Sequence, residues 1–303
     1  MQLFTLLAPF FLILALGVAL ERGGFFAPGF MAGVNKLTYW VGLPILVWVS
    51  LTHAEHGEAE TGRLLGGLVV ATLISLALAW LAARLIGVKN EGVGTWVQAA
   101  FRGNLTFVGL PIVLTLPGIP RTAAVLAMAP MLLLYNGAAV AMLLASRKTE
   151  AHRMGVLIAR ELLRNPIILA SIGGGIFYYC NWPVWEPLDL TLSLLSRMAV
   201  PLALLCIGSA LVSTPIRGNR RAVFLAALFK TLVSPLVGFG VARLLQLDAG
   251  ETRVVLLLMA CPTAAVSYTM VRQLGGDESV AASAIVASTL LSAVALPVIL
   301  MVS

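Results

Sequence analysis

The stretch "RGNLTFVGLP", Arg102–Pro111, puts two glycines, an asparagine, an arginine and a proline where the flanking residues run apolar enough to cross a bilayer. Proline has no amide hydrogen, and its ring collides with the carbonyl four residues back. Gly103 and Gly109 relax the backbone around it. Together they free carbonyls and amides in mid-span, which is tolerated at membrane depth only where protein or a hydrated cavity surrounds them. "LMACPTAAVSYTMV", Leu258–Val271, repeats the device with Pro262. Two helices interrupted at corresponding positions are the best sequence pointer to a transporter's binding site. Half-helix N-termini then offer partial positive charge and spare N–H groups to an anion. A plainer reading, in which each proline only kinks a helix for packing, stays open. Asn104 and Thr106 weigh against it in the first stretch, and Thr263, Ser267 and Tyr268 in the second.

The rest of the 303-residue chain requires a membrane. It is 60% hydrophobic and 11% charged, with mean hydropathy +0.98, whereas soluble domains carry about a quarter charged residues. Leu3–Leu20, Leu64–Ala83, Thr122–Ser146 and Ser279–Val302 are uncharged or nearly so, and each approaches or exceeds the roughly 20 residues that span the hydrocarbon. Runs this continuous are helical, because barrel strands alternate over about 10 residues. The N-terminal "MQLFTLLAPFFLILALG" lacks the basic region and cleavage site of a signal peptide and is expected to be a permanent helix. Cys180, Cys206 and Cys261 show no metal-ligand spacing and read as packing residues.

Ten spans are expected near 3–21, 31–52, 64–86, 95–117, 121–146, 166–181, 188–213, 221–246, 252–272 and 278–302. The polar interruption at 147–165 carries Arg147, Lys148, Arg153, Arg160 and Arg164 against Glu150 and Glu161, and is cytoplasmic by the positive-inside rule. The loops on the same side then add Arg22, Lys36, Arg84, Lys89, Arg217, Arg220, Arg221 and Arg272. That makes thirteen basic residues inside. The opposite loops hold four, Arg63, Arg121, Arg243 and Arg253, together with the acidic Glu55, Glu58 and Glu60. This bias places both termini outside a cell (inner) membrane. It also explains the +7 net charge without a nucleic-acid partner. Residues 1–146 and 166–303 become two five-span halves of opposite orientation, joined by the loop 147–165 as one integral membrane domain. Related halves would form an inverted repeat, a hallmark of secondary transporters. Pro44 of span two against Pro201 of span seven, and Pro111 against Pro262, keep similar offsets and support it.

"NLTFVGLPIV" (104–113), "NPIILASIGGGIF" (165–177), "AVPLALLCIGSALV" (199–212) and "CPTAAVSYTMVRQLGGDESVAASAIVASTLLSAVALPVI" (261–299) resemble the auxin efflux carrier family, within the superfamily of bile acid, arsenite and riboflavin transporters. The resemblance runs the full length. It implies an all-α polytopic protein of ten helices in two inverted five-helix repeats. Spans four and nine would be broken at their prolines and cross near the membrane centre, where substrate binds. It also implies small organic anions, such as malonate, as cargo. Many plant auxin exporters carry a long hydrophilic central loop; this chain lacks it and is closer to a short prokaryotic-type member. The family also tends to carry a lysine before the proline of span eight, here Lys230 before Pro235.

All thirteen acidic residues fall in loops or at span ends, while Arg102, Arg197 and Lys230 lie inside spans. A charge at membrane depth is costly and functional by default, and with no deep carboxylate to pair it, an anionic solute is the natural partner. Each has a structural alternative: Arg102 could snorkel toward the cytoplasm, and Asn136 could serve only an interhelical hydrogen bond. The candidate substrate-binding residues are Arg102, Asn104, Thr106, Pro111, Asn136, Arg197, Lys230, Pro262, Thr263 and Ser267. No cofactor is expected. A proton relay through a deep carboxylate is disfavoured, while Na+ could still bind carbonyls freed at the breaks, helped by Asn104, Asn136 or Thr263. Besides substrate and lipid, a homodimer is compatible with close-contact glycines such as Gly62 and Gly66. Hydrolysis is disfavoured: His53, His56 and His152 border loops, and "HAEH" (53–56) is not the HExxH zinc arrangement. No GxxxxGK[ST] supports an ATP-driven pump. An anion channel or sensor subunit on the same fold remains the alternative.

Overall fold

The computed structural model describes residues 2–54, 61–146, 164–213 and 219–302. Glu55, Glu58, Glu60, His56, His152, Arg217 and all of the basic loop except Arg164 and Asn165 lie outside the described residues. The described chain is helical with no strand, as expected of backbone that must satisfy itself in lipid. The helices are α1 (Gln2–Arg22), α2 (Phe30–Leu37), α3 (Leu43–Thr52), α4 (Thr61–Leu85), α5 (Asn90–Phe101), α6 (Leu110–Thr115), α7 (Arg121–Ala145), α8 (Pro166–Cys180), α9 (Glu186–Ser213), α10 (Arg220–Leu228), α11 (Ser234–Leu244), α12 (Ala249–Ala260), α13 (Val266–Leu274) and α14 (Glu278–Val302).

Among the described residues, six continuous helical stretches are long and apolar enough to cross a membrane: Phe30–Thr52, Thr61–Leu85, Arg121–Ala145, Glu186–Ser213, Arg220–Leu244 and Glu278–Met301. Leu105–Thr115 and Pro166–Cys180 are shorter apolar helices. Their outer faces carry large exposed apolar side chains, among them Leu194, Leu236 and Val294, as suits a surface turned to lipid. Their inner faces carry small residues such as Ala71, Ala79 and Ala83, which let helices approach closely where no hydrophobic drive exists between them.

Three of these stretches pass through a five-residue π-turn: Thr38–Gly42, Leu105–Gly109 and Phe229–Val233. Each is followed by an α-segment with proline at its second position, Pro44, Pro111 and Pro235. In each the bond skips a residue: Leu43, Leu110 and Ser234 donate to Thr38, Leu105 and Phe229. The wider turn makes room for the proline ring, so the helix continues. Pro111 therefore does not break its span, contrary to the sequence expectation. The helix stops earlier, at Arg102–Asn104. Pro201 lies inside the continuous α9, and Pro262 lies in a true break between α12 and α13. Pro44 and Pro111 thus share their local geometry with Pro235, not with the prolines matched to them by offset.

The helices sort into two groups. In one, α9 packs on α1 and α3, and α3 on α8. In the other, α4 packs on α5, α7 and α11, α10 on α14, and α12 on α11 and α14. α1 meets α9 at facing glycines: a Cβ on Gly17 would lie 2.6 Å from the Leu205 carbonyl oxygen, and one on Gly208 only 2.1 Å from that of Leu14. Gly62 and Gly66, by contrast, have no neighbour within 4 Å of an added Cβ.

α12 begins with a capping box. Asp248 Oδ1 accepts from the Glu251 amide at 2.7 Å, and Glu251 Oε2 accepts from the Asp248 amide at 2.9 Å. Asp248→Ala removes a cap from a half-helix that leads directly to the break. It is expected to cost about 0.5–2 kcal/mol and to lower the melting temperature of the purified protein; an unchanged melt would contradict a structural role for the box.

Candidate functional site

The two interruptions meet. Gly103 and Thr263 form an isolated antiparallel bridge: the Asn104 amide donates to the Pro262 carbonyl at 2.7 Å, and the Ala264 amide donates to the Arg102 carbonyl at 3.1 Å. Each broken segment thus satisfies part of the other's freed backbone, the requirement imposed by a dry surrounding. Gly103 allows the approach, since a Cβ there would sit 3.1 Å from the Leu258 carbonyl oxygen.

Asn104 stands at the centre. Its Oδ1 accepts from the Phe107 amide at 3.2 Å and so caps the helix Leu105–Thr115, while its carbonyl accepts from the Val108 and Gly109 amides. Thr263 is tied in on both sides. Its amide donates to Ser288 Oγ at 2.9 Å and its hydroxyl to the Ala99 carbonyl at 2.6 Å. The Ser267 carbonyl accepts from Gln98 Nε2 at 3.0 Å, while the Ser267 hydroxyl and Gln98 Oε1 are buried without a partner. Arg102 is buried. It donates from Nη2 to Asn136 Oδ1 and approaches Met270 Sδ with Nη1 at 2.7 Å, so Asn136 serves a site side chain as well as helix packing.

A cavity of about 620 Å3 lies between the two helix groups, and Asn104 and Phe107 of the crossing are among its lining residues. α2 contributes Asn35, α9 contributes Cys206 and Ser209, and α14 contributes Glu278 and Thr289. A small polar pocket of about 30 Å3 shares Asn104 and Phe107 with it and adds Arg102, Thr106, Asn136 and Asn165. The Phe107 ring stacks on Tyr39 with centroids 6.4 Å apart. A third pocket, also about 30 Å3, is lined by Phe10, Phe11, Val108, Leu204, Pro262 and Leu296 and is nearly all apolar.

The structure therefore brings Arg102, Asn104, Thr106, Asn136, Pro262, Thr263 and Ser267 to the crossing. Lys230 stands behind it, donating from Nζ to the Met259 carbonyl at 2.6 Å, and lines none of the three cavities. Pro111 is buried beyond the π-turn and lines none either. Arg197 stands apart from the crossing: its side chain is exposed on α9, on the row of Leu190 and Leu194, because the α9 face that packs carries Ser196, Ala199 and Ala203. Sequence reasoning missed Phe107, Tyr39 and Glu278, whose Oε2 accepts from the Tyr268 hydroxyl at 3.1 Å on the cavity wall. The aromatic pair is separated in sequence and left no spacing signal. Glu278 reads as an ordinary residue of a span end.

Residues 135–300 match the family model described as membrane transport protein. An uncharacterized transporter of Methanothermobacter thermautotrophicus is 25% identical over 297 residues, covering 97% of this chain and 95% of the relative.

Proposed function

Because the chain belongs to the membrane transport protein family, the auxin efflux carrier family that its motifs resemble, we propose that it is a secondary transporter of small organic anions working by alternating access. It is a multi-pass membrane protein. In this reading ten spans form two inverted five-helix repeats, and the residue 90–115 and 249–274 stretches are the paired broken helices at the substrate site. Both termini lie outside, and the loop 147–165 is cytoplasmic.

The observation that carries the proposal is the cavity lined by Asn104 of the crossing. It is walled by both helix groups and holds about 620 Å3, within the usual range for a small-molecule site. On the Pro262 side the remaining space is about 30 Å3 and apolar. A large cavity on one side of the crossing and only a small one on the other fit one end state of alternating access. The cavity-lining Asn35 and Tyr268 lie on the helices whose ends carry Lys36 and Arg272, and by the positive-inside rule this reading has the cavity open to the cytoplasm. Movement of one helix group against the other would close it.

At the floor of the cavity the chemistry suits a carboxylate. The N-terminal ends of Leu105–Thr115 and of α13 bring the positive end of each helix dipole to the crossing, with the Phe107 amide held by Asn104 and the Ser267 and Tyr268 amides by the Ala264 and Ala265 carbonyls. Asn104 supplies amide donors. Arg102 adds charge through the adjoining polar pocket, close to Thr106 and Asn136. Thr263 and Ser267 hold the crossing in shape from behind. Tyr39 and Phe107 separate the large cavity from the polar pocket and give the apolar wall that a carboxylate's carbon chain needs.

Ligands that bind the folded state raise its melting temperature by mass action. A thermal-shift screen of the purified protein against mono- and dicarboxylates, with size-matched neutral amides and amines as controls, is expected to yield a carboxylate that stabilises in a saturable way. Stabilisation by amines or neutral amides, and by no carboxylate, would overturn the assignment of anionic cargo.

A further inference from the structure

The carbonyl end of α12 is the part of the crossing that the substrate reading leaves unused. A helix leaves its last carbonyls without donors, and here the break removes those that would follow. The donor for Leu258 would be residue 262, which is proline. The donor for Met259 would be the Thr263 amide, which goes to Ser288 Oγ instead. The donor for Ala260 would be the Ala264 amide, which goes to Arg102. Three successive carbonyls at the negative end of a half-helix thus lack their helical donors where water is excluded; Leu258, Met259 and Ala260 are all 1% exposed or less.

Into this place comes Lys230. Its side chain is fully buried, 0% exposed, and projects from the π-turn Phe229–Val233. Nζ donates to the Met259 carbonyl at 2.6 Å. A Cβ added to Gly103 would lie 3.4 Å from the same Nζ and 3.1 Å from the Leu258 carbonyl oxygen, so the ammonium fills the angle between the two broken segments. Among the described residues the only carboxylate ion pair is His53–Asp189, far along the chain from this site. What compensates the buried charge is backbone carbonyl oxygen and helix dipole.

Carbonyls freed at an unwound segment, together with the C-terminal end of a half-helix, are what transporters use to bind a coupling alkali cation. We infer that the Lys230 ammonium is a resident cation standing where such an ion would bind, so that transport needs no Na+ and removal of the amine creates a Na+ site. This rests on the crossing being the substrate centre. It makes Lys230 a positioning residue: it holds the α12 end against Gly103 and thereby fixes Asn104 on the other side of the bridge, without touching the cargo.

The test is the melting temperature of wild type, Lys230→Ala and Lys230→Met in NaCl, KCl and choline chloride at matched ionic strength. Wild type is expected to melt alike in all three. Lys230→Ala is expected to melt lower in choline and to regain several degrees, saturably, in NaCl. Lys230→Met, which fills the space without charge, is expected to gain nothing from Na+. A wild type stabilised saturably by NaCl would overturn the inference, as would a Lys230→Ala protein indifferent to it. Should both variants fail to fold, solute exchange by reconstituted wild type decides: equal rates in Na+ and choline support a resident cation, and a saturable Na+ requirement refutes it. The melts need no cargo, so failure of the carboxylate screen leaves their outcome readable. A Lys230→Ala protein that gains from Na+ yet never regains carboxylate binding in NaCl would mean that the amine contacts the cargo, contrary to the inference.

Discussion

Asn104→Asp is expected to abolish carboxylate binding while leaving the fold close to wild type. The aspartate oxygen can still accept from the Phe107 amide, as Asn104 Oδ1 does at 3.2 Å, and Asp and Asn rank alike as N-caps. What changes is the face toward the cavity, where two amide donors become a negative charge. Asn104→Ala removes the donors without adding charge. A hydrogen bond to a charged group contributes about 1.5–3 kcal/mol, so its affinity should fall by roughly 10- to 150-fold. Alanine also loses the cap, at about 0.5–2 kcal/mol of stability. Titration calorimetry with the carboxylate found in the screen, paired with melting curves, separates the two effects. If Asn104→Asp binds that carboxylate as wild type does, Asn104 does not contact the cargo.

The largest effect on the fold is expected from a single methyl group. In Gly208→Ala the new Cβ would stand 2.1 Å from the Leu14 carbonyl oxygen and 3.0 Å from the Gly17 Cα. Both neighbours are backbone, so no rotamer change relieves the clash and α1 must move off α9. Overpacking costs about 1–3 kcal/mol where side chains can adjust. With only backbone to yield, the cost should reach at least the upper end, near 3 kcal/mol, lowering the melting temperature by roughly 6–12 °C. Gly66→Ala is the control. Nothing lies within 4 Å of its added Cβ, and alanine suits a helix better than glycine by about 0.5–1 kcal/mol. Equal melting of the two variants would contradict the close packing of α1 on α9.

The helical stretches were legible because lipid leaves little choice. Uninterrupted apolar runs such as Leu64–Ala83 and Ser279–Val302 have one way to satisfy their backbone, and they fall within α4 and α14. That two spans are interrupted was legible too, from glycine, asparagine and proline in apolar surroundings. How each is interrupted was not. Pro111 and Pro262 look equivalent on paper, yet one follows a π-turn and the other sits in the break. The difference lies in which amides find partners across the crossing, a tertiary matter that local sequence does not record. For the charges within spans, depth was legible but not direction. Arg197 and Lys230 both sit well inside their spans, and only packing sends one outward on α9 and the other against Met259. Tyr39 and Phe107 could not be paired without knowing that the π-turn Thr38–Gly42 lies beside the crossing.

The claim on which all else depends is that a small organic anion binds at the crossing and is carried, one side at a time. Counterflow in proteoliposomes tests it most directly, with a labelled carboxylate from the screen outside and the same unlabelled carboxylate, or none, inside. A carrier is expected to show saturable uptake, accelerated by internal substrate and lost in Asn104→Asp. Uptake that rises linearly with concentration, ignores internal substrate and survives Asn104→Asp would show a pore or a site elsewhere, and would contradict the account.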